Sequence, residues 1–250
     1  MKHLFVTLLL CLNLISCTTS KCSRDMSKFN LWELSTETIL PLKSFVKLNS
    51  IVQFETEEAE SGLMKFSSAS GFFVAENKII TAAHFCDSLP IKISLLKRMM
   101  FFERIFFEIQ TFDGNVREAI ITRMDEENDL CMLMIIGPTD NIEKQIIKLS
   151  DRKPYHGERI YNIAAPLGIF TPGMLPVFEG FYSGPCLYPE EAKKDTRVDM
   201  YSLPIRGGSS GSPILNDDGE LIGVVIAGVR GFENLGFSPS YNVVKQFLKQ

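Results

Sequence analysis

From residue 48 onward the chain is cut into short apolar runs by turn signals, and this cadence limits the fold more than any other feature. Runs of roughly four to eight residues bounded by Gly, Pro, Asn and Asp suit strands and are too short for ordinary helices. Ile51-Val52-Gln53-Phe54 begins the first, and the acidic stretch 55–62 reads as a loop. Gly71-Phe72-Phe73-Val74 and Lys78-Ile79-Ile80-Thr81 flank a tight turn at Glu76-Asn77. Runs 106–111 and 116–123 flank Asp113-Gly114, a strong hairpin signal. Run 130–136 is unbroken and apolar, and 158–164, 198–203, 213–215 and 221–227 follow, with Asp217-Asp218-Gly219 turning between the last two. Val243, Val244, Phe247 and Leu248 have the spacing of a short amphipathic closing helix. The expected class is all-β, a barrel or sandwich.

Composition narrows the function. The 250 residues carry 26 basic and 30 acidic side chains, a net charge of -4, with 45% apolar residues. That is globular composition, and its mild acidity offers no basic face for nucleic acid. Residues 1–16 resemble an export signal: Lys2 precedes the apolar stretch 4–15, which is too short to span a membrane. The stretch ends in Leu14-Ile15-Ser16-Cys17. This resembles a bacterial lipobox, which implies lipidation at Cys17, membrane attachment through that lipid, and a location facing the periplasm or cell surface. Residues 17–47 read as a tether and N-terminal arm, and 48–250 as the globular domain. Lys97-Arg98-Met99-Met100-Phe101-Phe102, within 97–104, fits a lid, a membrane contact or core. Cys22, Cys86, Cys131 and Cys186 allow three full pairings in an exported chain. Their spacing matches no zinc signature, so neither metal nor cofactor is expected.

Histidine is scarce. Once His3 leaves with the signal, His84 and His156 are the general bases that titrate near neutrality. His84 closes Thr81-Ala82-Ala83-His84 directly after an apolar strand, where two small residues permit a tight corner. His156, in a polar turn before a strand, reads as structural. Gly207-Gly208-Ser209-Ser210-Gly211-Ser212-Pro213 runs into a strand. A nucleophilic Ser needs backbone N–H groups aimed at a developing oxyanion, and flanking glycines permit the dihedrals that aim them. In the Gly-x-Ser-Gly frame the nucleophile is Ser210. The competing Gly-x-Ser-x-Gly elbow requires its acid and His after the Ser, and no His follows residue 156. The order acid-His-Ser fails too, because Asp25 in the tether is the only Asp upstream of His84. Asp129 opens run 130–136 and is the candidate buried acid that orients the imidazole. Asp125, four residues earlier, is its rival.

The order His84, Asp129, Ser210, at separations of 45 and 81, resembles the trypsin/chymotrypsin-like serine proteases. The glycine-led hairpin at 71–81, the stretch Asp113-Gly114 through Asp129, Pro166-Leu167-Gly168 and Leu235-Gly236-Phe237 are similar to the bacterial Deg/HtrA branch. The resemblance covers about residues 48–249. It implies two six-stranded antiparallel barrels with a short C-terminal helix. The 40 residues after Ser210 are enough to finish the second barrel, and no PDZ domain is expected after it. It further implies an endopeptidase acting on protein or peptide substrates, with His84, Asp129 and Ser210 catalytic. The Gly208 and Ser210 N–H groups would form the oxyanion hole. Pro204 and Ile205 would be the base of a substrate pocket walled by Ala227 and Gly228, with Gly236 at the back. No carboxylate stands at that base, so cleavage after small or medium apolar residues is expected rather than after Lys or Arg. Three departures stand out. Ser209 replaces the Asp that zymogens pair with a freed N-terminus. Ile226 replaces a Ser that supports the acid. Cys86 lacks the family's usual partner near residue 69. The competing readings are a catalytically silent or self-inhibited binder on the same fold, and an esterase.

Overall fold

Neighbouring residues on a strand point to opposite faces, so an unbroken apolar run needs both faces buried. Strand β6 (Leu130–Ile135) meets that demand by standing between two hydrophobic cores. The computed structural model describes residues 40–55, 61–87, 101–187, 197–229 and 231–249. These lie in one compact unit, Ile39–Gln250. The expected signal, the lipid site Cys17 and most of the tether lie outside the described residues.

Six strands close the first barrel: β1 (Phe45–Glu55), β2 (Ser61–Ala75), β3 (Lys78–Thr81), β4 (Phe101–Thr111), β5 (Val116–Asp125) and β6. Their order around it is β1-β2-β3-β6-β5-β4. Cys131, Leu133 and Ile135 of β6 join Val46, Leu48, Phe73, Ile79 and Ile109 in its interior. Leu130 and Met132 face the other way, against Phe72, Ile80, Ile163, Leu215 and Val224. Phe72-Phe73 and Ile79-Ile80 divide in the same manner. Each such side chain contributes about 1.5–3 kcal/mol by burial, and half of them serve the seam between the barrels.

The second half is a sheet ordered β11-β10-β7-β8-β9-β13-β12. Its strands are β7 (Arg159–Ile163), β8 (Val177–Leu187), β9 (Arg197–Ser202), β10 (Pro213–Leu215), β11 (Leu221–Val224), β12 (Ala227–Val229) and β13 (Phe232–Pro239). The edge strands β11 and β12 are halves of one run, broken at Val225 and Ile226. Val225 N–H donates to Ser212 C=O at 2.9 Å, and Ile226 N–H donates to Phe237 C=O at 2.9 Å. The run thus changes partner midway and joins the two edges of the sheet. Counted once, it makes six strands wrapped around Ile160, Tyr182, Tyr201, Leu203, Ile214 and Ile222.

A short helix α1 begins at residue 83 and is described through 87. Helix α2 (Tyr241–Lys249) closes the chain and buries Tyr241, Val244 and Phe247. Its first N–H, on Tyr241, is capped at 2.9 Å by the buried carboxylate of Asp199 from β9. One expectation needs correction: β1 starts at Phe45, inside the expected arm. Of the stretch 97–104, which the sequence left open between lid, membrane contact and core, residues 101–104 open strand β4, and 97–100 lie outside the described residues.

Candidate active site

Strand β3 delivers His84. Thr81, Ala82 and Ala83 are buried, and the chain then turns into α1, leaving the His84 side chain half exposed at the corner. Asp129 sits where the 126–128 turn enters β6, with φ at 54°, a left-handed conformation that Asp tolerates better than most residues. Its Oδ1 accepts the His84 backbone N–H at 2.7 Å, and its Oδ2 lies 2.7 Å from His84 Nδ1. A carboxylate accepts only, so Nδ1 carries the proton and the neutral ring keeps its lone pair on Nε2. Asp129 is 25% exposed, less buried than the sequence suggested. Its rival Asp125 is occupied by Asn128, whose N–H and Nδ2 donate to it at 3.1 and 2.8 Å.

A disulfide joins Cys86, two residues after His84, to Cys131, two residues after Asp129. Strands β3 and β6 pair Thr81 with Cys131, which brings the two segments side by side. Cys86 is therefore not left without a partner; its partner comes from β6 instead of from near residue 69. Cys186 on β8 is a free thiol, and Cys22 lies outside the described residues.

The Ser-bearing loop is built on two glycines. Ser209 N–H donates to Arg206 C=O at 2.9 Å, and Gly208 takes φ +96°, a type II turn. Leu167 N–H holds the Gly207 carbonyl at 2.6 Å. Across that trans peptide the Gly208 N–H must point the opposite way. A Cβ on Gly208 would lie 2.6 Å from the Ala165 carbonyl. Gly211, at φ +82°, lets the backbone beside Ser210 press on the strand end that leads to His84; a Cβ there would stand 2.2 Å from Thr81 Oγ1 and 2.8 Å from Ala82 N. Ser210 C=O accepts Ser70 N–H at 2.9 Å. Among the described residues, neither the Gly208 nor the Ser210 N–H donates to a protein acceptor. Ser209 is fully buried, its Oγ accepting Arg206 N–H at 3.4 Å, so the turn is closed without a carboxylate.

Of the expected pocket residues, Ala227 pairs with Phe237 and Gly228 with Gly236 across β12 and β13. Ile205 fills the space over both glycines. A Cβ on Gly228 would meet Ile205 Cβ at 3.0 Å, and one on Gly236 would meet Ile205 Cγ1 at 2.8 Å. The atoms nearest these glycines belong to Ile205, Leu203 and Leu235. His156 packs on Gly184 and Tyr182, with Nδ1 3.0 Å from Ser183 C=O, a structural role. Sequence reasoning passed over Ser70, whose only signal was its place before Gly71 at the head of the first hairpin.

This two-barrel arrangement defines a class. Residues 69–224, more than half of the chain, match the trypsin-like peptidase domain, and the chain belongs to that family. Among curated proteins it is 24% identical to "Serine protease HTR4" of Rattus norvegicus over 233 residues, covering 92% of this chain and 42% of the relative. It is 28% identical to "Serine protease HtrA-like" of Staphylococcus aureus (strain MRSA252) over 152 residues, covering 56% of this chain and 19% of that protein. The chain thus spans less than half the length of these relatives. A solved serine endoprotease from Yersinia pestis shares the fold, with a TM-score of 0.59 at 18% identity, over 84% of this chain and 62% of the other.

Proposed function

We propose that this chain is a serine endopeptidase, exported and lipid-anchored at Cys17, that cleaves proteins after small apolar residues. The observation that carries the reading is the two-pronged hold of Asp129 on His84, which in the neutral ring assigns the proton to Nδ1 and leaves Nε2 as the base. In this mechanism Nε2 takes the Ser210 proton as Oγ attacks the peptide carbonyl. The Gly208 and Ser210 N–H groups stabilise the oxyanion, and the imidazolium gives its proton to the leaving amine. Water then enters by the same route in reverse, releasing the acid product and free Ser210. Ile205 over Gly228 and Gly236 supports a shallow pocket that fits Ala or Val and excludes long cationic side chains. The Cys86–Cys131 disulfide supports an oxidising compartment, in keeping with the lipobox-like Leu14-Ile15-Ser16-Cys17.

The test is labelling of the purified chain with a fluorophosphonate. Modification at Ser210, absent in Ser210→Ala, is the expected result. A folded chain that takes no label overturns the peptidase reading in favour of a silent binder. The intact mass of the membrane-extracted form reports the lipid on Cys17, and an unmodified mass ends the anchoring reading.

A further inference from the structure

Ser70 is fully buried on β2, in the first barrel, yet it holds three pieces of the second. Its N–H donates to Ser210 C=O at 2.9 Å. Its Oγ donates to Gly208 C=O at 2.7 Å and accepts Ala165 N–H at 3.0 Å. Its own C=O accepts Thr81 Oγ1 at 2.8 Å, three residues before His84. One hydroxyl has a single proton to give, and here it goes to the carbonyl of a residue whose N–H serves the oxyanion hole.

We propose that Ser70 is a positioning residue for the oxyanion loop: its hydroxyl fixes Gly208 against Ala165 and its backbone fixes Ser210. This rests on the peptidase reading above. The backbone bond survives any substitution except proline, so the separable part is the hydroxyl. Without it, Gly208 C=O loses its donor and Ala165 N–H its acceptor. Both ends of the loop then shift by tenths of an ångström relative to Ser210. Displacements of this kind weaken the transition state and leave ground-state substrate binding almost untouched.

The experiment uses the full chain and a peptide anilide with Val at the cleavage site. For Ser70→Ala we expect kcat to fall about 10- to 100-fold with KM within about threefold. A peptide aldehyde, whose adduct places an oxyanion in the hole, should lose affinity by a similar factor. The pH at which kcat/KM rises should not move, because the contacts of His84 with Asp129 are untouched. A residue that serves only folding would lower the thermal midpoint without this split between kcat and KM. Ser70→Cys keeps the volume with a weaker donor and decides the matter if Ser70→Ala does not fold; its kcat should fall about tenfold. Wild-type kcat in either folded variant, or a loss confined to KM, overturns the proposal. If the wild-type chain itself takes no fluorophosphonate, the peptidase reading falls and this one with it. An active wild type with indifferent variants defeats the Ser70 assignment alone.

Discussion

Removing the Cys86–Cys131 bridge tests how the His and Asp segments are held. The bond closes a loop of 45 residues. Loop-closure entropy for that length corresponds to roughly 4 kcal/mol at 25 °C. In a chain of this size that is a fall in melting temperature of roughly 8–16 °C. Both sulfurs are buried, so the perturbation is better made by Cys86→Ala with Cys131→Ala than by adding a thiol to the folded protein. Urea unfolding followed by circular dichroism reads the stability, and anilide hydrolysis well below the transition reads the site. The β3–β6 ladder, from Lys78 with Met134 to Thr81 with Cys131, still aligns the two segments after the bond is gone. The two hydrogen bonds that Asp129 accepts from His84 also remain. The loss in kcat should therefore stay below about tenfold, or about 1.4 kcal/mol, while the loss in stability is far larger. A midpoint shift worth under about 1 kcal/mol would refute the loop-closure reasoning, and a collapse of kcat in a stable variant would refute the claim that the ladder suffices.

Gly211→Ala should cost about 3 kcal/mol or more, or prevent folding, because its Cβ would meet the Ser70 carbonyl at 2.3 Å with φ at +82°; a wild-type melting curve and labelling rate would contradict this. Ile205→Ala should uncover the slot over Gly228 and Gly236, raising the kcat/KM ratio for Phe over Val substrates by about tenfold or more; an unchanged peptide-library profile would place specificity elsewhere. Burial pushes the Asp113 carboxyl up, but donors from Thr111, Glu143 N–H and Asn115 outweigh it and hold the group below the ordinary aspartate range. The folded value is depressed, so this stabilisation is complete above the unfolded value of about 3.9 and fades as pH falls through the folded one. Asp113→Asn should flatten the loss of urea stability below about pH 4, and an acid limb as steep as that of the wild type would contradict the assignment.

The strands that read clearly in the sequence are those whose pattern the fold left intact. β3 and β10 match their expected bounds, and β6 betrayed its two buried faces through a lack of polar residues. β8 and β13 went unread because their glycines and prolines look like turns. Gly180 is nevertheless required inside β8, where a Cβ would lie 2.0 Å from the Ser202 carbonyl. Gly184, at φ +116°, sits where β8 shifts register against β9. Gly236 in β13 makes room for Ile205. His84, Asp129 and Ser210 could be picked out as candidates because histidine is scarce and the Ser is framed by glycines. Ser70 was not, since its bonds to the second barrel cross 95 to 140 residues of sequence and leave no local mark. The disulfide was hidden for the same reason: only the β3–β6 register decides which cysteines meet.

The exposure of the candidate pair bears on where its strength comes from. His84 is half exposed and Asp129 a quarter exposed, so in the open site water screens their Coulomb attraction. What survives screening is geometry: two bonds from one carboxylate to one residue allow a single ring orientation. In the peptidase reading proposed above, charge stabilisation of the imidazolium grows as a substrate covers the corner and displaces water. The same reasoning applies to the Gly208 and Ser210 N–H groups, whose worth rises as the dielectric around them falls. The fold therefore has to supply fixed positions in advance rather than a buried field. It does so with cross-barrel contacts: Ser70 to Gly208 and Ser210, Gly211 against Thr81 and Ala82, and Leu167 to Gly207. Substitutions in these contacts should act mainly on kcat, whereas substitutions at Ile205 should act on the choice of substrate.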